Sequence, residues 1–227
     1  MKIDKIALAF FIFFSIMATV SRALEWNGIL LLCKPFIIPA LTFYYLGNTK
    51  KVSRSVTLFL ISCFIGDAIA LFNFEHEIFY LLVPFFVGNL VIIRLAFLEC
   101  KRFYWDAINV VSLLLILLLL GYLWVTVVSF FWDETGFLFF AIAIFGLTLL
   151  VMNVLTAYNG LSSMKFSNLY LLLTSISILV SQVFYVLYTI KIQLDILDLI
   201  HQLCHYLSYL SLVLFILNYP KYKVKES

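Results

Sequence analysis

The stretch 28-GILLLCKPFIIPALTFYYL-46 decides the class of this protein. An apolar run of this length reads as a membrane helix, since a bilayer crossing takes about 20 residues. Yet Lys34, Pro35 and Pro39 all fall inside it. A charge is expensive in a bilayer, and each proline removes a backbone donor. An ionisable residue kept at that cost marks a functional position, with a partner to be found elsewhere in the chain.

The rest of the sequence supports the membrane reading. Of the 227 residues, 65% are hydrophobic and 12% charged, and the mean hydropathy is +1.11. Soluble domains carry about 25% charged residues. A formal charge of +3 is too small to point to nucleic acid. The four cysteines (Cys33, Cys63, Cys100, Cys204) show no paired spacing and read as free thiols. Eight hydrophobic spans can be drawn, approximately Ile6–Val20, Gly28–Leu46, Val56–Phe72, Ile78–Phe97, Ile108–Val128, Phe137–Leu155, Leu169–Tyr188 and Leu199–Leu217. The connections are short and no internal repeat is evident. The expectation is therefore all-α: one integral membrane domain over residues 1–227, a polytopic bundle of eight transmembrane helices.

Orientation follows from the basic residues. With both termini in the cytoplasm, that side holds Lys2, Lys5, Lys50, Lys51, Arg54, Lys101, Arg102, Lys165, Lys221, Lys223 and Lys225. The other side holds only Arg22 and Lys191, and collects Glu25, Glu75, Glu77, Asp133, Glu134, Asp195 and Asp198. This is the positive-inside asymmetry. The first span also has a charged start and small residues near Ala23, so a cleaved signal peptide is the alternative there.

Depth now follows from a rise of 1.5 Å per residue. Lys34 lies roughly 9 Å below the outer end of its span, and Asp67, in 61-ISCFIGDAIALF-72, roughly 8 Å below that of the next. The two opposite charges are expected at one level on antiparallel neighbours, where each offsets part of the other's desolvation. They read either as a pin between helices or as a proton-handling site open to the outer leaflet. In 197-LDLIHQLCHYLSYL-210, His201 and His205 share a helix face in the outer half. They suit acid–base work, interhelical hydrogen bonding or one half of a zinc clamp. In span 7, Thr174, Ser177, Ser181 and Tyr185 form a stripe with Gln182 at its edge, and span 4 places Asn89 near mid-membrane. Gln182 and Asn89 are candidates to line the same cavity. No GxSxG, HExxH or glycine-rich phosphate loop occurs.

Lys34-Pro35 with Pro39 four residues on, a basic loop, then Gly66-Asp67 on the next helix resembles the YhhN-like lysoplasmalogenase family. The resemblance is clearest over residues 28–97. It implies an eight-helix membrane protein with both termini on one side, placed in a bacterial cytoplasmic membrane. The activity it implies is hydrolysis of the vinyl-ether bond of a lysophospholipid, releasing a fatty aldehyde. Asp67 would then be the general acid or the base that activates water. Lys34 would tune it or hold the phosphate, with Asn89, Gln182 and Tyr185 beside the substrate. Acids, bases and water suffice for this chemistry, so no cofactor is expected and no metal ligand is assigned. The chain departs from the family pattern at Ser181-Gln182, where an acid is usual, at Gly88-Asn89, where a histidine is usual, and after Tyr206. His201 or His205 would take the role of the missing second acid.

Two other readings of the same residues stay open. One is a zinc-dependent hydrolase of the alkaline-ceramidase kind using His201, His205 and Asp67, with His76 as the only further histidine. The other is a lipid-binding protein without catalysis, in which Lys34 and Asp67 are structural.

Overall fold

The structure, a computed structural model, describes residues 3–71, 77–100, 106–132, 137–163 and 165–219. These form α1 (Ile3–Ala23), α2 (Asn27–Asn48), α3 (Arg54–Ile69), α4 (Glu77–Glu99), α5 (Ala107–Ser129), α6 (Phe137–Ser162), α7 (Phe166–Val186) and α8 (Asp195–Asn218). A wider π turn, Leu187–Lys191, follows α7. No strand occurs among the described residues. Lys2, Glu75, His76, Lys101, Arg102, Asp133, Glu134, Lys221, Lys223 and Lys225, which carried part of the expected orientation and the zinc alternative, lie outside the described residues.

Seven of the helices are long and apolar enough to cross a membrane. The exception is α3, with 16 residues. At about 1.5 Å per residue it is shorter than a hydrocarbon core of about 30 Å. It stops at Ile69 rather than at Phe72, so Asp67 sits within one turn of its end. Lys34 is nevertheless seven residues inside α2, and the residues that meet Asp67 lie well inside α8. The end of α3 is thus sunk below the ends of its neighbours.

Helix α8 is central and packs on α1, α2, α3 and α7. Half of its spanning window is buried, against 6% for α5, which rests mainly on α6. The outward faces carry large apolar side chains such as Leu32, Phe43, Leu118 and Leu119, as lipid contact requires. Inside, apolar packing joins Ile37, Leu41, Phe59, Ile92, Leu171 and Leu212 in one core. Helix α2 runs unbroken through both prolines. Each proline lacks the N–H that the carbonyl four residues earlier would accept, so Leu31 and Pro35 lose their helical donors.

Small polar side chains tie helix to helix. Thr156 and Ser175 join α6 to α7 at 2.6 Å, and Thr174 and Ser211 join α7 to α8 at 2.9 Å. Asn159 donates to the Ala96 carbonyl at 2.8 Å, linking α6 to α4. The Ser53 amide donates to Tyr45 Oη at 2.7 Å and closes the α2–α3 turn. Such bonds contribute about 0.6 kcal/mol each in a membrane, enough to fix register when several act together. All four cysteines are free.

Two glycines show where close approach matters. A Cβ at Gly146 on α6 would lie 2.7 Å from Trp124 Cδ1 on α5, while one at Gly121 meets nothing within 4 Å. The Trp124 ring cannot simply turn away, because its Nε1 donates to the Ala143 carbonyl at 3.1 Å. Gly146→Ala is therefore expected to destabilise by about 1–3 kcal/mol through overpacking. Gly121→Ala should be neutral or stabilising by up to about 1 kcal/mol, from helix propensity alone. Thermal unfolding of the two variants in one detergent checks this, and equal midpoints would refute the α5–α6 contact.

Candidate active site

Asp67 is 5% exposed and its carboxylate has partners from two other helices. Oδ1 lies 3.2 Å from His205 Nε2 and 3.9 Å from Lys34 Nζ. Oδ2 accepts from Tyr209 Oη at 3.1 Å. Tyr209 Oη and His205 Nε2 are also in contact, closing a triangle of acid, imidazole and phenol. A carboxylate buried this far from bulk water needs such donors, because desolvation without them costs several kcal/mol.

Local sequence explains how the groups converge. His201, His205 and Tyr209 follow at four-residue steps and share one face of α8. Gly66 lets Phe85 of α4 lie against α3: a Cβ there would be 2.7 Å from Phe85 Cζ. The Phe85 ring in turn meets His205 edge-on at 5.3 Å. The Gly-Asp pair therefore has a division of labour, glycine admitting the aromatic neighbour and aspartate supplying the charge. One turn along α8, His201 Nδ1 is 2.9 Å from both the Ser181 carbonyl and Ser181 Oγ. A carbonyl only accepts, so Nδ1 carries the proton in the neutral ring and Nε2 keeps a lone pair. The two imidazoles are stacked at 5.5 Å, and the Tyr185 ring lies 5.1 Å from that of His201.

Of these groups, Lys34, Asp67, Tyr185, His201 and His205 line a cavity of about 370 Å³. That volume is within the range of ligand pockets. Ala70 and Leu71, just past the sunken end of α3, are among its lining, so the short helix is what leaves the space. The polar lining includes Arg22, Lys34, Asp67, Gln182, Tyr185, His201 and His205. The rest is largely apolar, with Leu81 from α4, Leu123 and Val127 from α5, and Phe145 and Leu149 from α6.

The cavity thus gathers Lys34, Asp67, Gln182, Tyr185, His201 and His205. Asn89 is not among its lining, contrary to expectation. It is 2% exposed, its Nδ2 has no hydrogen-bond partner, and it lies one turn beyond Phe85, whose ring ends the cavity on that side. Among the described residues no group of three His, Cys, Asp or Glu side chains is arranged to hold a metal ion. Three further residues belong to the site. Tyr209 is the third member of the four-residue stripe on α8. Asp198, three residues before His201, pairs with Arg22 of α1 at 2.9 Å, a contact that the sequence does not reveal.

The chain matches no family model, no curated protein and no solved structure. Function therefore has to be argued from this geometry and from the residues that carry it.

The ion pair can be tested without any substrate. Asp67→Asn removes the charge that compensates Lys34 and should destabilise by about 1–3 kcal/mol. In a Lys34→Met background the same change should cost at least about 0.5 kcal/mol less, the sign of direct coupling. Additive losses in denaturation midpoints would mean that the two charges do not interact.

Proposed function

We propose that this protein is a membrane-embedded lysolipid hydrolase resembling the lysoplasmalogenases, which cleaves a vinyl-ether bond by acid–base catalysis and releases a fatty aldehyde. The observation that carries the reading is a buried, fully partnered carboxylate in the polar lining of a cavity whose remaining lining is largely apolar. An amphiphile with its chain on the apolar side brings the linkage beside Asp67. In the same proposal all eight helices cross the cytoplasmic membrane, α3 as a shortened span, and both termini face the cytoplasm.

The chemistry asks for two proton transfers. Asp67, whose resting carboxylate is held by Lys34, His205 and Tyr209, acts as the acid once a proton has reached it from His205 at 3.2 Å. It then gives that proton to the vinyl carbon, and positive charge develops on the carbon next to the ether oxygen. Water adds to that oxocarbenium ion, and the resulting hemiacetal collapses to aldehyde and alcohol. The division of roles parallels glycosidases, in which one group protonates while another activates water. His205 and Tyr209 orient Asp67. His201 suits water activation, since its Nε2 lone pair belongs to a ring held by Ser181 on the cavity wall. It would thereby replace the second acid that Gln182 does not supply.

A lipid-binding role without catalysis is the second reading, favoured by Gln182 and by the completeness of the Asp67 hydrogen bonding. Purified protein with a lysoplasmalogen separates the two. Aldehyde release is expected, lost on Asp67→Asn and reduced by about 10²-fold or more in His201→Ala. Absence of turnover on every lysolipid tried, or full activity in a Lys34→Met, Asp67→Leu double variant, would sink the hydrolase. Topology is checked separately: alkaline phosphatase fused after Ser227 should be inactive, and an active fusion would place the C-terminus outside.

A further inference from the structure

Arg22 at the end of α1 and Asp198 in the first turn of α8 are joined Nε to Oδ2 at 2.9 Å. The pair stands between two cavities. Both side chains line the main cavity and also a second, polar one of about 260 Å³, whose walls include Thr19 and Asn27. Tyr188 and Gln202 are shared in the same way. Asp198 is the more enclosed partner, its side chain 12% exposed against 42% for Arg22. It also accepts from Gln202 Nε2 at 3.3 Å, while Gln202 Oε1 is buried with no partner.

Level separates this cation from the other one. Lys34 is occupied at the depth of Asp67. Asp198 lies seven residues before His205 on α8, so Arg22 is held roughly 10 Å nearer the end of the bundle. An amphiphile with its linkage at Asp67 and its chain against α4, α5 and α6 therefore presents its head group to Arg22, not to Lys34. A guanidinium takes carboxylate or phosphate oxygens in the same forked geometry, so one can replace the other. We infer that Arg22 binds the phosphate of the amphiphile's head group, and that Asp198 is the internal carboxylate which holds Arg22 until that phosphate displaces it. Once displaced, Asp198 keeps the Gln202 donor and the polar second cavity, where water can serve it. The inference rests on the lipid-site reading above but not on turnover.

The test is binding by the purified full-length chain of a non-cleavable alkyl-ether lysophosphocholine and of the matching alkylglycerol, which lacks the phosphate. Arg22→Gln should weaken the phosphate-bearing ligand by about tenfold or more, the effect of losing a charge-assisted bond, and leave the alkylglycerol within about twofold. Asp198→Asn should tighten the phosphate-bearing ligand, because it removes the competitor. If the pair merely pins α1 to α8, both variants will weaken both ligands alike, and the inference falls. It falls equally if inorganic phosphate competes as well as the lipid does, which would assign a free-anion site. Should Arg22→Gln fail to fold, Asp198→Asn still decides, since the two accounts give it opposite signs. Binding that behaves as expected without cleavage of the vinyl-ether analogue would overturn the hydrolase and leave this assignment standing.

Discussion

A carboxylate buried within a bundle of membrane helices must find its hydrogen bonds inside the protein, and the arrangement around Asp67 follows from that requirement. Its hydrogen-bond partners come from α8 and its opposite charge, Lys34 at 3.9 Å, from α2, so those helices must meet α3 at one level. Helix α8 accordingly occupies the centre, with half of its spanning window buried. The same demand explains Gly66, since only a residue without a Cβ admits Phe85 and so brings α4 up to His205. The prolines of α2 act in concert, leaving carbonyls in the turns around Lys34 without helical donors. Buried charge here organises contacts that apolar packing alone would leave degenerate, because one oily helix face resembles another.

The cavity is the complement of the same constraint. Because α3 ends at Ile69, the volume above it is filled by neither helix nor loop from the described residues, and the polar wall is exposed to that space. The apolar lining is built partly by α5, a helix with 6% of its spanning window buried and its principal contact on α6. Separating α5 from the α4 side breaks few contacts, whereas separating α7 from α8 would break many, Thr174–Ser211 and Ser181–His201 among them. The cavity therefore has one firmly tied polar wall and, in α5, one peripheral apolar element. In the proposed hydrolase, precise acid–base geometry and passage of a lipid chain demand opposite properties, and they fall to different helices.

Much of this was legible in the residues. Hydropathy located all eight helices, and the expense of a membrane charge singled out Lys34 and Asp67 before their contact was seen. The four-residue spacing of His201 and His205 placed both on one face. What the one-dimensional pattern could not carry was relative depth. Asp67 was set correctly against Lys34, although α3 proved shorter than its hydropathy implied, because apolar composition does not mark where a helix is cut off beside a loop. Asn89 was assigned to the cavity from its distance along α4. Phe85, one turn nearer the cavity, closes that side, a fact that depends on a contact with α3. Asp198 is readable beside His201 on α8, but its pairing with Arg22 is not, since it joins α1 to α8.

In the proposed hydrolase, Gln182 in place of an acid bears on which groups can carry protons. A carboxamide neither gives nor takes a proton near neutrality, so Gln182 can orient a ligand but cannot serve as the second half of an acid–base pair. In that reading Asp67 cannot fill both roles at once: protonating carbon leaves it a carboxylate hydrogen-bonded to His205 and Tyr209 and paired with Lys34. His205 shares that network and is not independent of it. His201 is independent, because its proton is directed at Ser181 and its lone pair is not engaged by Asp67. Ser181 immediately precedes Gln182, so the backbone position that carries an acid in the family pattern here holds the histidine's orienting carbonyl beside it. In the proposed hydrolase a histidine on α8 thus takes the role that an acid on α7 has in the lysoplasmalogenase pattern, at the same wall of the cavity.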